Sequence, residues 1–505
     1  MMLKVNEIIP QEKKSKKTRK FRNEDEFNLN ENLSYYLLPF RFHRISDERE
    51  LIVNEVGDYL FLKSGTFEKI VRRRIDKVKD GELYGDLIAN FFISEETIPP
   101  LIDVLATRYR TKKIFLNYFT GLHIFVISLR CEHTCQYCQV SRVTQNRELY
   151  DMGRLNIDRG IDIMFNSPNP HLTMEFQGGE ALLAFDNIKY AVEKAEKLAS
   201  NLGKGLTKVI CTNLALINEE ILEYCKDHDI LISASLDGPK YIHDNNRHKP
   251  RASSYDLTIK GIELSRRMLG NDKVSALMTT TNLSLDYPIE IVDEYFNQGF
   301  QSIFLRSVSP YGFALKSTNS NYEIENFLQF YKIALGRVIE YNLDGHFFPE
   351  DLARIFLTKM LSPFNVGYVD LQSPAGLING VIVFNYDGAV YATDESRMLA
   401  EQNDYTFKLG TLEDEYAELF FGEKAQQIAQ VWANEGLTGC SECAFQVYCG
   451  ADPVHNHATQ GDMYGYRPDS SFCKKNMEII RYLFELMEND SNIKTIFEKW
   501  ARVEC

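Results

Sequence analysis

The alternation of apolar and polar positions changes character several times along the chain. Residues 1 to about 30 carry few large apolar side chains and set a basic run, KKSKKTRK, before an acidic one, NEDEFNLNEN. Such a segment cannot bury a core, so 1–30 is expected to be a disordered lead or, alternatively, a basic patch for an acidic peptide. From about 33 to 118, three short strand-period runs (FRFHRI, ELIVNEV, DYLFLK) precede three helix-period runs (TFEKIVRRRI, GELYGDLIANFF, ETIPPLIDVLATRYR), with breaks at Ser64, Gly65 and Ser94. Three strands followed by three helices describe a small winged-helix-like α+β unit over 33–118.

From about 119 to 350, strand-like runs at 123–129, 171–177, 208–214, 230–236, 274–281 and 302–308 alternate with amphipathic stretches such as DNIKYAVEKAEKLASN. Six βα units predict an α/β fold: a parallel sheet curled into a partial barrel, its active site at the C-terminal ends of the strands. Residues 351–485 then read as a cysteine-bearing extension, and 486–505 as a C-terminal helix or tail.

Bulk properties narrow the setting. A chain of 505 residues implies two or three domains, and its net charge of -14 argues against nucleic acid or an anionic membrane as partner. There is no run of about 18 uncharged apolar residues and no apolar signal segment, so a cytoplasmic location is expected. Seven of the ten cysteines fall in two clusters, which suits metal binding in a reducing compartment. Cys211, Cys225 and Cys505 are left over and read as core or incidental.

The first cluster, Cys131, Cys135 and Cys138, follows the first strand run with the spacing C-x3-C-x2-C. Three thiolates in one loop can hold three irons of a 4Fe-4S cluster and leave the fourth iron open for a substrate or cosubstrate. Zinc more naturally takes four ligands, and a disulfide framework would not crowd three cysteines together. His133 inside the loop is a conceivable further ligand, although three cysteines suffice. Gly178-Gly179-Glu180 follows the second strand run, where two glycines allow close backbone approach and a carboxylate can receive an ammonium.

This spacing resembles that of the radical S-adenosylmethionine (radical SAM) enzymes. The resemblance implies that the open iron chelates S-adenosylmethionine, which is cleaved to a 5'-deoxyadenosyl radical that abstracts hydrogen. It assigns Gly178, Gly179 and Glu180 to the methionine amino group, and Ser235 and Arg247, in the stretch ISASLDGPKYIHDNNR, to cosubstrate contacts. Tyr137 matches the aromatic near the adenine, while Asn213 and Leu305 are weaker candidates for lining the site. The 33–118 unit resembles precursor-recognition elements that bind a leader peptide at a sheet edge, or else is a packing extension of the barrel.

The second cluster, Cys440, Cys443, Cys449 and Cys473, can saturate one 4Fe-4S cluster or one zinc, and spacing alone does not choose. It resembles the SPASM extension of radical SAM peptide maturases, which usually carries two auxiliary clusters. Here Pro453 and Thr393 stand where that pattern has cysteines, and no cysteine lies between Cys225 and Cys440. The departures imply one auxiliary 4Fe-4S cluster, on the four remaining cysteines. Asp394 stands where related sulfatase-maturing enzymes have a catalytic carboxylate, or is a solvated loop acid; Glu395 and Arg397 are undecided.

A narrower resemblance, over about 36 to 485, is to the HxsB family of radical SAM maturases from His-Xaa-Ser repeat systems, through LLPFRFHRI, FNYDGAVYATDESRMLA and YCGADPVHNHATQGDMYGYRPDSSFC. It implies an oxidoreductase that modifies a ribosomally made precursor peptide or protein (a RiPP maturase), with a partner maturase and an electron donor such as flavodoxin or ferredoxin. The alternatives are a radical SAM enzyme acting on a sulfatase-like protein or small molecule, and a noncatalytic iron-sulfur scaffold.

Overall fold

The computed structural model describes residues 34–96, 100–138, 146–311 and 322–502; the expected disordered lead and Cys505 lie outside the described residues. The strands, in chain order, are β1 (Tyr36–Leu37), β2 (Phe40–Arg44), β3 (Arg49–Asn54), β4 (Tyr59–Lys63), β5 (Ile93–Ser94), β6 (Leu122–Ser128), β7 (His171–Gly178), β8 (Gly205–Thr212), β9 (Ile230–Ser235), β10 (Val274–Leu277), β11 (Val381–Phe384), β12 (Ala389–Tyr391) and β13 (Lys408–Thr411). They form three sheets: β1-β5, the antiparallel β2-β3-β4, and an eight-stranded sheet ordered β10-β9-β8-β7-β6-β11-β12-β13.

The large sheet is the parallel α/β layer that the alternating runs predict. Strands β6 to β10 are parallel, and helices such as Phe185–Leu202 and Ser254–Leu269 cover the outer face. The period of two is visible in β7: Leu172, Met174 and Phe176 are fully buried in the core, while Thr173, Glu175 and Gln177 face the barrel interior and are half-buried. β6 and β7 keep parallel register except for one shift between Val126 and Ser128, immediately before the cysteine loop.

Two features depart from the sequence expectation. The sixth run, 302–308, forms no continuous strand; it makes isolated parallel bridges, Ile303 to Glu350 and Ser307 to Thr280. The backbone groups of this run are satisfied instead by a helix cap. Leu305 N donates to the Glu350 carboxylate at 3.0 Å, and the same carboxylate caps the helix Asp351–Leu361 through Leu352 N and Ala353 N. On the other side, β11 pairs in parallel with β6, and β12 and β13 continue the sheet outward.

The strands β2, β3 and β4 fold with the helices Thr66–Val71 and Gly81–Ala89 around a small core of their own, including Ile52, Leu62, Ile70 and Leu87. One face of that sheet docks on the C-terminal cysteine segment. Tyr59 and Phe61 meet Phe484 edge-on at centroid distances of 4.9 and 5.8 Å, His43 lies 4.6 Å from the Phe445 ring, and Tyr448 Oη donates to Gly57 O at 2.8 Å. Among the described residues, no helix is long and apolar enough to cross a membrane.

Candidate active site

The triplet loop leaves the C-terminal end of β6 through a locked turn. Ser128 Oγ and Arg130 Nε both donate to Asp151 Oδ1 at 2.7 Å, and Arg130 Nη2 reaches Asp151 Oδ2 at 2.7 Å and Leu183 O at 2.8 Å. The glycines after β7 press against this turn. A Cβ on Gly178 would stand 2.0 Å from Ser128 O, and one on Gly179 2.2 Å from Arg130 O, so neither position admits a side chain. Gly179 N and Glu180 N donate to those same carbonyls, at 2.8 and 2.7 Å. In this structure the close approach that the glycines permit is therefore to the cysteine loop's own backbone.

Glu180 is fully buried and accepts from Leu182 N (3.0 Å), Thr212 Oγ1 (2.7 Å) and Asn213 N (2.8 Å). Burial, reinforced by the Glu132 carboxylate, pushes Glu180 up to about 7. Asn213 turns its Nδ2 toward Glu132 Oε1 at 3.0 Å and His133 Nδ1 at 2.9 Å. His133 Nε2 lies 2.9 Å from Ser254 Oγ, so the ring is held inside a hydrogen-bonded frame behind the loop. The Cys131, Glu132 and His133 ligand atoms do lie within 4.8 Å of one another, but both ring nitrogens of His133 are already engaged.

A second frame joins the loop to β9. Tyr137 Oη donates to Asp237 Oδ2 at 2.7 Å; Arg247 stands over the Tyr137 ring at 5.4 Å and 3.1 Å from Asp237 Oδ2. Asp237 is fully buried and also accepts from Thr279 N at 3.3 Å. Although burial opposes charge, Asp237 and Tyr137 keep the Arg247 guanidinium charged. Ser235 is the last residue of β9, paired with Leu277 and half-buried on the interior face. Asp237 is the hub of this frame; its signal was the nearby arginine and tyrosine, which only the fold brings together.

These residues fit a cluster with a bound cosubstrate. The triplet thiols are partly exposed, and Glu132 Oε2 is a buried polar atom left without a hydrogen-bond partner beside them. Burial, with Glu132 and Glu180, pushes the Cys131 thiol up, so a metal must displace its proton to bind.

A cavity of about 600 Å³ lies where the barrel is open, between residues 304–311 and the 369–381 segment, and is roofed by residues 451–476. Leu305 is buried in its wall. Arg306, Asp370, Glu395, Asp452 and Lys475, drawn from four separate segments, line it. Burial and the neighbouring Asp370 push Glu395 up to about 8, and burial with Asp370 pushes Asp452 up to about 6. Asp394 opens the helix Asp394–Ala400 behind Thr393, whose side chain caps it in a box with Ser396. The Asp394 side chain is 20% exposed, in the capped first turn of a helix rather than on a solvated loop. Burial raises Asp394, opposed by Arg397, whose Nε is 3.5 Å away. Arg397 is 1% exposed and bridges to Glu401 at 3.2 Å. Inside the barrel Glu175, up at about 7 through burial and Asp394, bonds the Cys211 thiol, while Cys225 is core.

The C-terminal quartet lies next to this cavity. Cys440 and Cys443 share a turn in which Cys443 N donates to Cys440 O at 3.0 Å; Cys449 follows the turn at Phe445, and Cys473 N is capped by Ser470 Oγ at 3.2 Å. Gly450 carries the chain past Leu371, whose Cα a Cβ there would meet at 2.8 Å. Burial raises all four thiols; Cys449 adds to it at Cys440, Cys443 and Cys473, and Arg467 opposes it at Cys440, Cys449 and Cys473. Four thiolates can saturate one 4Fe-4S cluster or one zinc.

Residues 125–295 match the pattern of the Radical SAM superfamily. The chain carries a radical SAM domain. It is accordingly an enzyme, and its domain family binds a 4Fe-4S cluster and S-adenosylmethionine. A cysteine-type anaerobic sulfatase-maturating enzyme of Clostridium novyi is 23% identical over 375 residues, covering 70% of this chain and 95% of that one. An uncharacterised protein of Methanocaldococcus jannaschii is 29% identical over 187 residues, and this chain spans 62% of its length. Among solved structures, native anSMEcpe with bound AdoMet and the Cp18Cys peptide superposes with TM-score 0.61 at 18% identity, over 75% of this chain and 99% of that one. Streptococcus suis SuiB bound to its precursor peptide SuiA does so with TM-score 0.50 at 14% identity, over 86% and 99%. These likenesses extend the radical SAM fold beyond the matched residues.

Proposed function

We propose that this enzyme modifies a ribosomally made peptide or protein, with the cavity between the barrel opening and the quartet as the substrate site. When bound at the triplet, the cluster and S-adenosylmethionine supply a carbon radical that abstracts hydrogen. Cys131, Cys135 and Cys138 are read as holding the cluster, Glu180 with Gly178 and Gly179 as receiving the methionine amino group, and Ser235 and Arg247 as further cosubstrate contacts, with Tyr137 bonded to Asp237. The observation that carries the reading is the cavity itself. At about 600 Å³, lined by charged and apolar groups and bordered by 451–476, it has room for a peptide segment. Glu395 lines the cavity, and Asp394 beside it in sequence is read as the proton acceptor for an oxidised substrate.

The quartet is read as a single auxiliary 4Fe-4S cluster, and the β2-β3-β4 sheet as the leader-binding unit, since its outer strands offer an edge for an added strand. Resemblance over 36–485 points to a His-Xaa-Ser repeat precursor, and the solved relatives described with bound peptides support the substrate class. A second reading, a sulfatase-like protein as substrate, is favoured by the Clostridium novyi relative and by the placement of Asp394. Anaerobic incubation with S-adenosylmethionine, dithionite and a co-expressed His-Xaa-Ser precursor is the test. Release of 5'-deoxyadenosine with a precursor mass change is expected. Release with modification of a sulfatase peptide alone would shift the assignment to the second reading, and no release would reduce the protein to a scaffold.

A further inference from the structure

Lys359 lies in the last turn of the helix Asp351–Leu361 and is 3% exposed. Its Nζ donates to three backbone carbonyls: Leu371 O, Tyr448 O at 2.7 Å and Cys449 O at 3.0 Å. Three acceptors and no facing donor require three N–H groups, so the nitrogen is an ammonium. Among the described residues no carboxylate pairs with it; Glu435, the nearby acid, is engaged by Lys113 at 2.5 Å and by Ser373 Oγ. Behind it Lys112, 8% exposed, donates to Lys359 O at 2.9 Å and Ser362 O at 3.1 Å.

A buried cation with no counter-charge is strongly unfavourable. Lys359 already holds the Cys449 carbonyl, so the anion beside it is whatever the quartet binds. An iron-sulfur cluster on four thiolates is an anion that gains one more negative charge on reduction, so a fixed cation beside it favours the reduced form. Zinc at the same ligands would gain no charge.

We propose that Lys359 is the counter-ion of the C-terminal four-cysteine site, a positioning residue that raises the reduction potential of the cluster there and makes it the stable resting place of an electron. This rests on the auxiliary-cluster reading. The test uses the full chain with Cys131, Cys135 and Cys138 all changed to alanine, so that the quartet gives the sole iron signal. Iron content is measured first, then the midpoint potential, by EPR-monitored titration with dithionite. Lys359→Met should hold the same iron and shift the potential negative by the equivalent of about a tenfold change in the reduction equilibrium, ~59 mV for one electron. Lys359→Arg should restore the parent value. An unchanged potential at full iron content overturns the counter-ion role. Absence of iron in the parent, or zinc in its place, overturns the auxiliary-cluster reading and the proposal with it. If Lys359→Met loses its cluster, Lys112→Met carries the test, with a smaller negative shift expected and none overturning it.

Discussion

The two cysteine sites use the same ligand atom in opposite electrical surroundings. Around the triplet, Glu132 and Glu180 both stand close enough to raise the Cys131 thiol, and one guanidinium, Arg247, answers them near Cys135. Around the quartet, Arg467 opposes the burial of three thiols, Lys359 does so at Cys449 and Arg41 at Cys443. Acidic surroundings disfavour adding an electron and basic ones favour it. The difference teaches that ligand spacing sets which cluster can form, while residues distant in sequence set where an electron settles. The quartet should therefore be the easier of the two to reduce.

The bluntest way to break the comparison is to remove one site at a time. Alanine at Cys131, Cys135 and Cys138 should cost about four of about eight reconstituted irons and take 5'-deoxyadenosine release to background. Alanine at the quartet should cost the other four irons, abolish precursor modification, and lower S-adenosylmethionine cleavage by no more than about tenfold. Iron analysis with product chromatography checks both, and loss of cleavage in the quartet variant would merge the two sites into one function.

Next in size is Asp237→Asn, which leaves Arg247 buried without its partner charge. Anaerobic urea titration should show a loss of about 3–5 kcal/mol, with weaker S-adenosylmethionine binding by calorimetry. A smaller effect concerns pH. Glu395, raised to about 8, binds more protons folded than unfolded, so its contribution is neutral below its ordinary value near 4.5 and becomes unfavourable as pH rises toward 8. Thermal stability should fall across that window, and Glu395→Gln should flatten the slope. Smallest is Arg467→Leu, expected to lower the quartet's potential by less than Lys359→Met does; an equal or larger shift would move the main cation to Arg467.

Much of the scaffold was legible because β7, β8 and β9 keep period two: β7 separates Met174 and Phe176 from Glu175 and Gln177. The run at 302–308 has the same composition but not the same partner, since Glu350 caps a helix with the carboxylate that also takes Leu305 N, and no local pattern announces that competition. The pairing of β11 with β6 joins segments more than 250 residues apart and leaves no local mark. Within the site, the cysteines and the Gly-Gly-Glu run are contiguous and could be read. Asp237 could not be read, because a turn explains Asp-Gly-Pro locally, and neither could Lys359, because a helix of apolar period hides a single buried cation.

The docking of the β2-β3-β4 sheet on the cysteine segment has a practical outcome for anyone who shortens the protein. Without that sheet, Phe445, Phe484 and Tyr448 would meet water together on one surface. A chain trimmed of its first hundred or so residues should therefore precipitate before its catalysis can be assayed, and its silence would say nothing about leader binding.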